Sequence, residues 1–282
     1  MRRRSVVQSP KGKRMKQHKD GVAVLCIDPQ VDFHPGGSLA IVGANEVRRA
    51  APLHLQLTTY CQLTAAAQDA ERVGQLLRDN APRIDDVVVT LDSHQRMHIA
   101  HGLFWRDAEG AAPAPFTIIS RADVEAGRWR PARPEHRERA LHYVQELERS
   151  GRFQLCIWPE HCIIGSPGHC VTPPVLDGLR AWTESRREAV EYVLKGQCQF
   201  TEMYSALRAE VEVPDDPATG LNQALIERLS TRERVLVCGQ AQSHCVQFTV
   251  RDLLEHWPPS ERHRIWLLDD CMSNVPGFEA AG

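Results

Sequence analysis

Long apolar runs are missing from this chain. Its 282 residues contain no stretch of about 18 apolar positions, so the sequence predicts no membrane-spanning helix. Charge of one sign is missing too. The 34 Lys and Arg nearly balance 36 Asp and Glu, and the net charge of −2 gives no basic footprint for nucleic acid outside the N-terminus. A disulfide framework is also lacking. The nine cysteines are odd in number and irregularly spaced, and no secretory signal pattern precedes them. The expectation is free thiols in a reducing, cytoplasmic compartment. What the chain does have is a 42% hydrophobic fraction, enough to bury one sizeable core.

Residues 1–19 carry eight Lys or Arg and no acid, so residues 1–20 read as a basic, disordered tail. A mitochondrial targeting segment is the alternative, and a nucleic-acid arm is a third reading. Residues 21–282 read as a single domain. Apolar runs predict strands at Gly21–Ile27, Asp85–Leu91, Phe153–Ile157, Ala189–Leu194, Val235–Cys238 and Arg264–Leu268. Helical periodicity predicts helices at Asp69–Leu77, Glu135–Glu148, Val175–Arg186 and Leu221–Leu229, with Ser150-Gly151 ending the second. The alternation implies a doubly wound, mainly parallel α/β sheet with helices on both faces.

The stretch from Arg234 to Leu254 organises the chain. Val235 to Cys238 is a buried strand pattern bounded by Gly239. Val246, Val250, Leu253 and Leu254 follow at helical spacing, after a turn of small polar residues. Cys245 then falls about where the helix starts. The helix start favours negative charge, so the sequence reading gives Cys245 a lowered pKa and a thiolate. The competing reading is a buried, inert thiol.

Further segments carry a family resemblance. Val24-Leu-Cys-Ile-Asp-Pro-Gln-Val-Asp-Phe33 with Gly36-Gly-Ser-Leu39 resembles the opening strand and loop of the isochorismatase-like cysteine hydrolases. Thr90-Leu-Asp-Ser-His94 with His98-Ile99 resembles the metal loop of their nicotinamidase branch. Trp158-Pro-Glu-His-Cys162 with Gly165-Ser-Pro-Gly168 resembles the second half of that metal site, and Leu194-Lys-Gly196 the catalytic lysine strand. The matches keep the family's order over roughly residues 22 to 275.

The resemblance implies a three-layer α/β/α fold and a catalytic triad of Asp28, Lys195 and Cys245. It implies an oxyanion hole from the backbone N–H groups of Ala241 and Cys245, with a cis peptide between Gln240 and Ala241. It implies a divalent ion on Asp92, His94 and His161, with His98 as a fourth ligand or a supporting donor. Zn²⁺ is the first choice, with Mn²⁺ or Fe²⁺ as alternatives. Phe33 and Trp158 would sandwich an aromatic ring, and Gln240 would line the substrate site. Residue by residue, plainer readings stand beside these. Asp28 suits a loop cap, Asp32 a turn, Lys195 a surface lysine, and Phe33 and Trp158 an ordinary core.

The implied activity is hydrolysis of nicotinamide to nicotinate and ammonia through a cysteine thioester, within pyridine-nucleotide salvage. The implied partner is a small carboxamide, with self-association left open. The alternatives are an amidase for another small carboxamide and a catalytically silent binding homologue. Isochorismate hydrolysis is disfavoured by the metal loops. Several features depart from the compact family pattern. Residues 47–68 read as an insertion or a gene-model artefact, 102–151 as an enlarged excursion, and the end after Val275 as truncated.

Overall fold

The computed structural model describes residues 20–41, 65–151, 153–275 and 277. Its strands are β1 (Val22–Ile27), β2 (Asp86–Asp92), β3 (Trp105–Arg106), β4 (Ile118–Ile119), β5 (Arg130–Pro131), β6 (Leu155–Cys156), β7 (Glu191–Lys195), β8 (Arg234–Gly239) and β9 (Ile265–Leu267). Its helices are α1 (Ala65–Asp79), α2 (Arg121–Glu125), α3 (Arg137–Ser150), α4 (Pro173–Arg186), α5 (Gln223–Ser230) and α6 (Gln247–His256). Among the described residues, no helix is long and apolar enough to cross a membrane.

Five strands form one parallel sheet in the order β7-β2-β1-β8-β9. β1 sits at the centre and is apolar on both faces, as a strand covered on both sides must be. Ala23, Leu25 and Ile27 face a core that includes residues of α3, α5 and α6. Val24 and Cys26 face the opposite core, built with Ala70, Val73 and Leu77 of α1 and Val175, Leu179 and Trp182 of α4. The strand order reverses direction between β1 and β8. A crevice opens at such a reversal, outside the carboxyl ends of the strands, and ligands bind there in open α/β sheets. Gly239 closes β8 with φ of 116°, and a Cβ on it would lie 1.9 Å from the Ile27 carbonyl oxygen. Only glycine lets β8 stay that close to β1 at the mouth of the crevice.

Two expectations change. The predicted strand Phe153–Ile157 does not join the main sheet; only Leu155–Cys156 is paired, antiparallel with β4. A short apolar run fixes burial, and Leu155 and Ile157 are buried, but it does not fix which sheet the run joins. Helix α1 begins at Ala65 rather than Asp69, so residues 65–68 of the segment read as inserted belong to the helix. Residues 47–64 of that segment, and the basic tail up to residue 19, lie outside the described residues. The 102–151 excursion holds the β3–β5 pair, strand β4, helix α2 with its Ser120–Asp123 capping box, and helix α3. Helix α3 ends at Gly151 in the left-handed conformation.

Candidate active site

Asp28 immediately follows β1, Lys195 ends β7, and Cys245 lies in a π-helical turn, Gln242–Val246, between β8 and α6. Strand β2 separates β7 from β1, and Asp92 at its end is the register partner of Lys195. The long lysine side chain spans that strand. Its Nζ donates to Asp92 Oδ1 at 3.0 Å, to the Met203 carbonyl at 2.9 Å and to Cys245 Sγ at 3.5 Å. Asp28 Oδ2 lies 3.0 Å from the same nitrogen as an ion pair without hydrogen-bond geometry. Asp28 Oδ1 accepts from the Thr90 hydroxyl at 2.6 Å, and the Asp28 backbone is left-handed, with φ of 44°. A non-glycine residue in that conformation carries strain, which concentrates at functional sites.

Burial sets the charges. Asp28, Lys195 and Cys245 are 0%, 1% and 6% exposed. Burial raises the Asp28 pKa and the neighbouring Asp92 adds to it, against the pull of Lys195. Burial works against the Lys195 charge, but Asp28 and Asp92 outweigh it, so the lysine stays protonated. Cys245 departs from the sequence reading. It is the fourth residue of the π-helical turn, and burial pushes its thiol well above the usual value despite Lys195. Helix-start electrostatics are worth roughly 1 kcal/mol, too little to offset removal of a thiolate from water. Burial therefore favours the neutral thiol at Cys245.

Four imidazoles crowd the far side of Asp92. His94, His98 and His101 are fully buried and His161 nearly so. His94 Nδ1 faces the Gly196 carbonyl at 3.3 Å, and His161 Nδ1 faces the Pro159 carbonyl at 2.8 Å. Those bonds aim both Nε2 atoms at Asp92 Oδ2, 3.0 Å from His94 and 3.4 Å from His161. A carbonyl that holds the outer ring nitrogen is the usual support for an imidazole metal ligand. His101 was not singled out from sequence. Ligand atoms of His94, His101 and His161 lie within 4.8 Å of one another, and both His101 ring nitrogens are buried without a hydrogen bond. Burial, with His94 and His161, pushes His101 down to about 3, although the Arg96 carbonyl pulls the other way. A neutral imidazole whose ring nitrogens make no well-formed hydrogen bond suits a cation. His98 fits less well. Its Nδ1 accepts from the Ala100 N–H at 3.2 Å and its Nε2 donates to the Thr201 carbonyl at 3.1 Å. Glu202 completes a second grouping with His94 and His98. The donor set of imidazoles and carboxylate fits a divalent ion such as Zn²⁺.

A small cavity lies between this cluster and Cys245. Phe33, Trp158, His161, Tyr204, Ala241, His244 and Cys245 line it. The Trp158 indole N–H donates to the Tyr204 hydroxyl at 2.9 Å, which fixes the ring's orientation. Gln240, expected in this wall, turns away: its amide donates to Asp69 Oδ2 at 2.9 Å. The peptide between Gln240 and Ala241 is cis. Tyr204, Glu202 and His244 joined the site without a sequence signal. His101 had one, as the third histidine in the eight residues from His94.

Asp32 braces the loop that carries His161. Its Oδ2 accepts from the Cys162 N–H at 2.7 Å and its Oδ1 from the Ser38 N–H at 2.9 Å. A Cβ on Gly168 would lie 2.0 Å from Asp32 Oδ2. Gly168→Ala should therefore push the carboxylate off its donors and cost about 1–3 kcal/mol. Thermal unfolding checks this, and an unchanged midpoint would dismiss the brace.

No family model matches the chain, and no curated protein matches it. Solved structures do. A nicotinamidase/pyrazinamidase from Acinetobacter baumanii superposes over 93% of this chain and 87% of its own, at 19% identity and a TM-score of 0.53. The yeast nicotinamidase bound to the inhibitor nicotinaldehyde covers 92% and 90%, at 16% identity and a TM-score of 0.55. What these likenesses show is the fold, a parallel sheet with helices on both faces in an α/β/α arrangement, as the motifs implied. Within that fold, the solved structures it is similar to are nicotinamidases.

Proposed function

We propose that this chain is a cysteine amidohydrolase that converts nicotinamide to nicotinate and ammonia, within pyridine-nucleotide salvage. One observation carries the reading: a single buried ammonium, Lys195, touches the thiol of Cys245, the carboxylate of Asp28, and Asp92 of the histidine cluster. Hydrolytic chemistry and ring-binding groups are thereby joined at one point.

Asp28, with its pKa raised, is the base that takes the Cys245 proton. Lys195 holds the resulting thiolate. The sulfur attacks the amide carbonyl, and the backbone N–H groups of Ala241 and Cys245 receive the oxyanion, each worth roughly 3 kcal/mol of barrier. As the tetrahedral adduct collapses, the C–N bond breaks and protonated Asp28 gives its proton to the departing ammonia. Asp28 then deprotonates a water that attacks the thioester, which frees the acid and the thiol.

Asp92, His94 and His161 would hold a divalent ion, with His101 completing the set. The ion's chemistry is that of a Lewis acid for the ring nitrogen, which orients the carboxamide over the thiol. Phe33, Trp158 and Tyr204 enclose the ring and exclude water. The same triad would serve another small carboxamide, and a silent homologue would bind without turnover.

Ammonia release decides among these. Nicotinamide, pyrazinamide, benzamide and small aliphatic amides would be compared with metal-replete and chelator-treated protein. The reading expects nicotinamide above benzamide, which lacks the ring nitrogen, and a loss of that preference with chelator. Equal rates for the two would move the substrate to another carboxamide. No ammonia from any of them would leave a binding protein.

A further inference from the structure

We infer that Asp69 on α1 is the positioning residue of the oxyanion loop, acting through Gln240 and Ser273; this rests on the amidase reading above. Asp69 lies in the second turn of α1, too far in to cap it, on a helix whose neighbouring residues Ala70, Val73 and Leu77 are core. It is 3% exposed, and burial raises its pKa. A buried carboxylate in such a place is costly unless its donors are fixed. Here they are fixed. Asp69 Oδ2 accepts from the Gln240 side-chain amide at 2.9 Å and from the Ser273 hydroxyl at 2.6 Å, while Arg72 Nη1 lies 3.2 Å from Oδ1.

Both partners bind the loop as well. The Ser273 N–H donates to Gln240 Oε1 at 3.3 Å, and the Ser273 carbonyl accepts from the Gln242 N–H at 2.8 Å. The backbone of residues 240–242 is thus held on either side of Ala241, the residue whose N–H is assigned to the oxyanion. Two residues on, the Val275 N–H donates to the Ser243 hydroxyl at 3.1 Å, and Val275 lines the cavity. Arg72 also donates to the Asp270 carbonyl at 2.7 Å, so α1 grips the whole 270–273 segment. Among the described residues, none of the polar groups in this network hydrogen-bonds to the thiol, Asp28 or the histidine cluster. Their joint effect is to fix where one backbone donor points. Preorganised donors matter when charge develops on the carbonyl oxygen, and an ångström of misplacement can cost about 100-fold in rate.

The test separates carbonyl chemistry from thiol reactivity. Turnover of a carboxamide builds an oxyanion. Alkylation by iodoacetamide forms a C–S bond and expels iodide without one. Asp69→Asn is expected to lower kcat by about 10- to 100-fold, with KM for nicotinamide and the Cys245 alkylation rate near their wild-type values. Gln240→Leu should show the same split, and the double variant should lose little more than either single one, because both act on one network. Should Asp69→Asn fail to fold, Ser273→Ala carries the same measurements with a smaller kcat loss. An unchanged kcat, or a matching fall in alkylation rate, overturns the inference while the amidase reading stands. Wild-type protein that releases no ammonia from any carboxamide overturns both.

Discussion

The Cys245→Ala protein is expected to lose carboxamide turnover by about 10⁴-fold or more while still binding nicotinamide. Loss of a nucleophile in hydrolases that work through a covalent intermediate has effects of this order, because the remaining groups supply only binding and electrostatics. The binding groups lie elsewhere: Phe33, Trp158, Tyr204 and His161 line the cavity around the space beside the sulfur. The sulfur itself meets Lys195 Nζ at 3.5 Å and the Asp28 carboxyl group. Removing it leaves Lys195 with Asp28, Asp92 and the Met203 carbonyl, so the ammonium stays compensated and the fold should hold. Calorimetric titration with nicotinamide and an ammonia assay on the same preparation check the split. Retained turnover would dismiss Cys245 as nucleophile; loss of binding together with turnover would mean that the sulfur also organises the pocket.

The second large effect concerns the histidine cluster. His161→Ala should deplete the bound metal and raise KM for nicotinamide by about tenfold or more, roughly 1.4 kcal/mol for each decade. The Cys245 thiol should still be alkylated at close to its normal rate, because His161 is no part of the triad's hydrogen bonding. An ion that activates water would behave otherwise, since its loss stops chemistry without selectively weakening ring binding. The neighbouring histidines sharpen the result. His101→Ala should also deplete metal, because its buried ring nitrogens make no well-formed hydrogen bond. His98→Ala should retain it, because that ring is already bonded to the Ala100 N–H and the Thr201 carbonyl. Metal content, KM and alkylation rate are measured on each variant. A His161→Ala protein with full metal and normal KM would remove His161 from the site. The reverse pattern at residues 98 and 101 would exchange those two.

The sequence by itself determined the elements whose signals are local. Val22–Ile27, Asp86–Asp92 and Arg234–Gly239 are strands because each carries a short, dense apolar run, as strands buried on both faces require. The motif loops put Asp28, Asp92 and Cys245 after or at strand ends, and the parallel order of those strands brings the ends to one edge. The tertiary structure decided what depends on surroundings. Whether Cys245 rests as thiol or thiolate is set by its burial among Lys195, Asp28 and Asp92, which outweighs the helix start that the sequence could show. His98 and His101 lie three residues apart on one loop, and only packing decides that the first makes two well-formed backbone hydrogen bonds while the second makes none. Gln240 looks like a pocket residue beside Ala241 until Asp69, 171 residues earlier, appears as its partner. The physical reason is the same in each case. An apolar run is stabilised by burial whichever neighbours supply it, whereas a polar group's charge and direction depend on a few atoms that distant parts of the chain bring within hydrogen-bond reach.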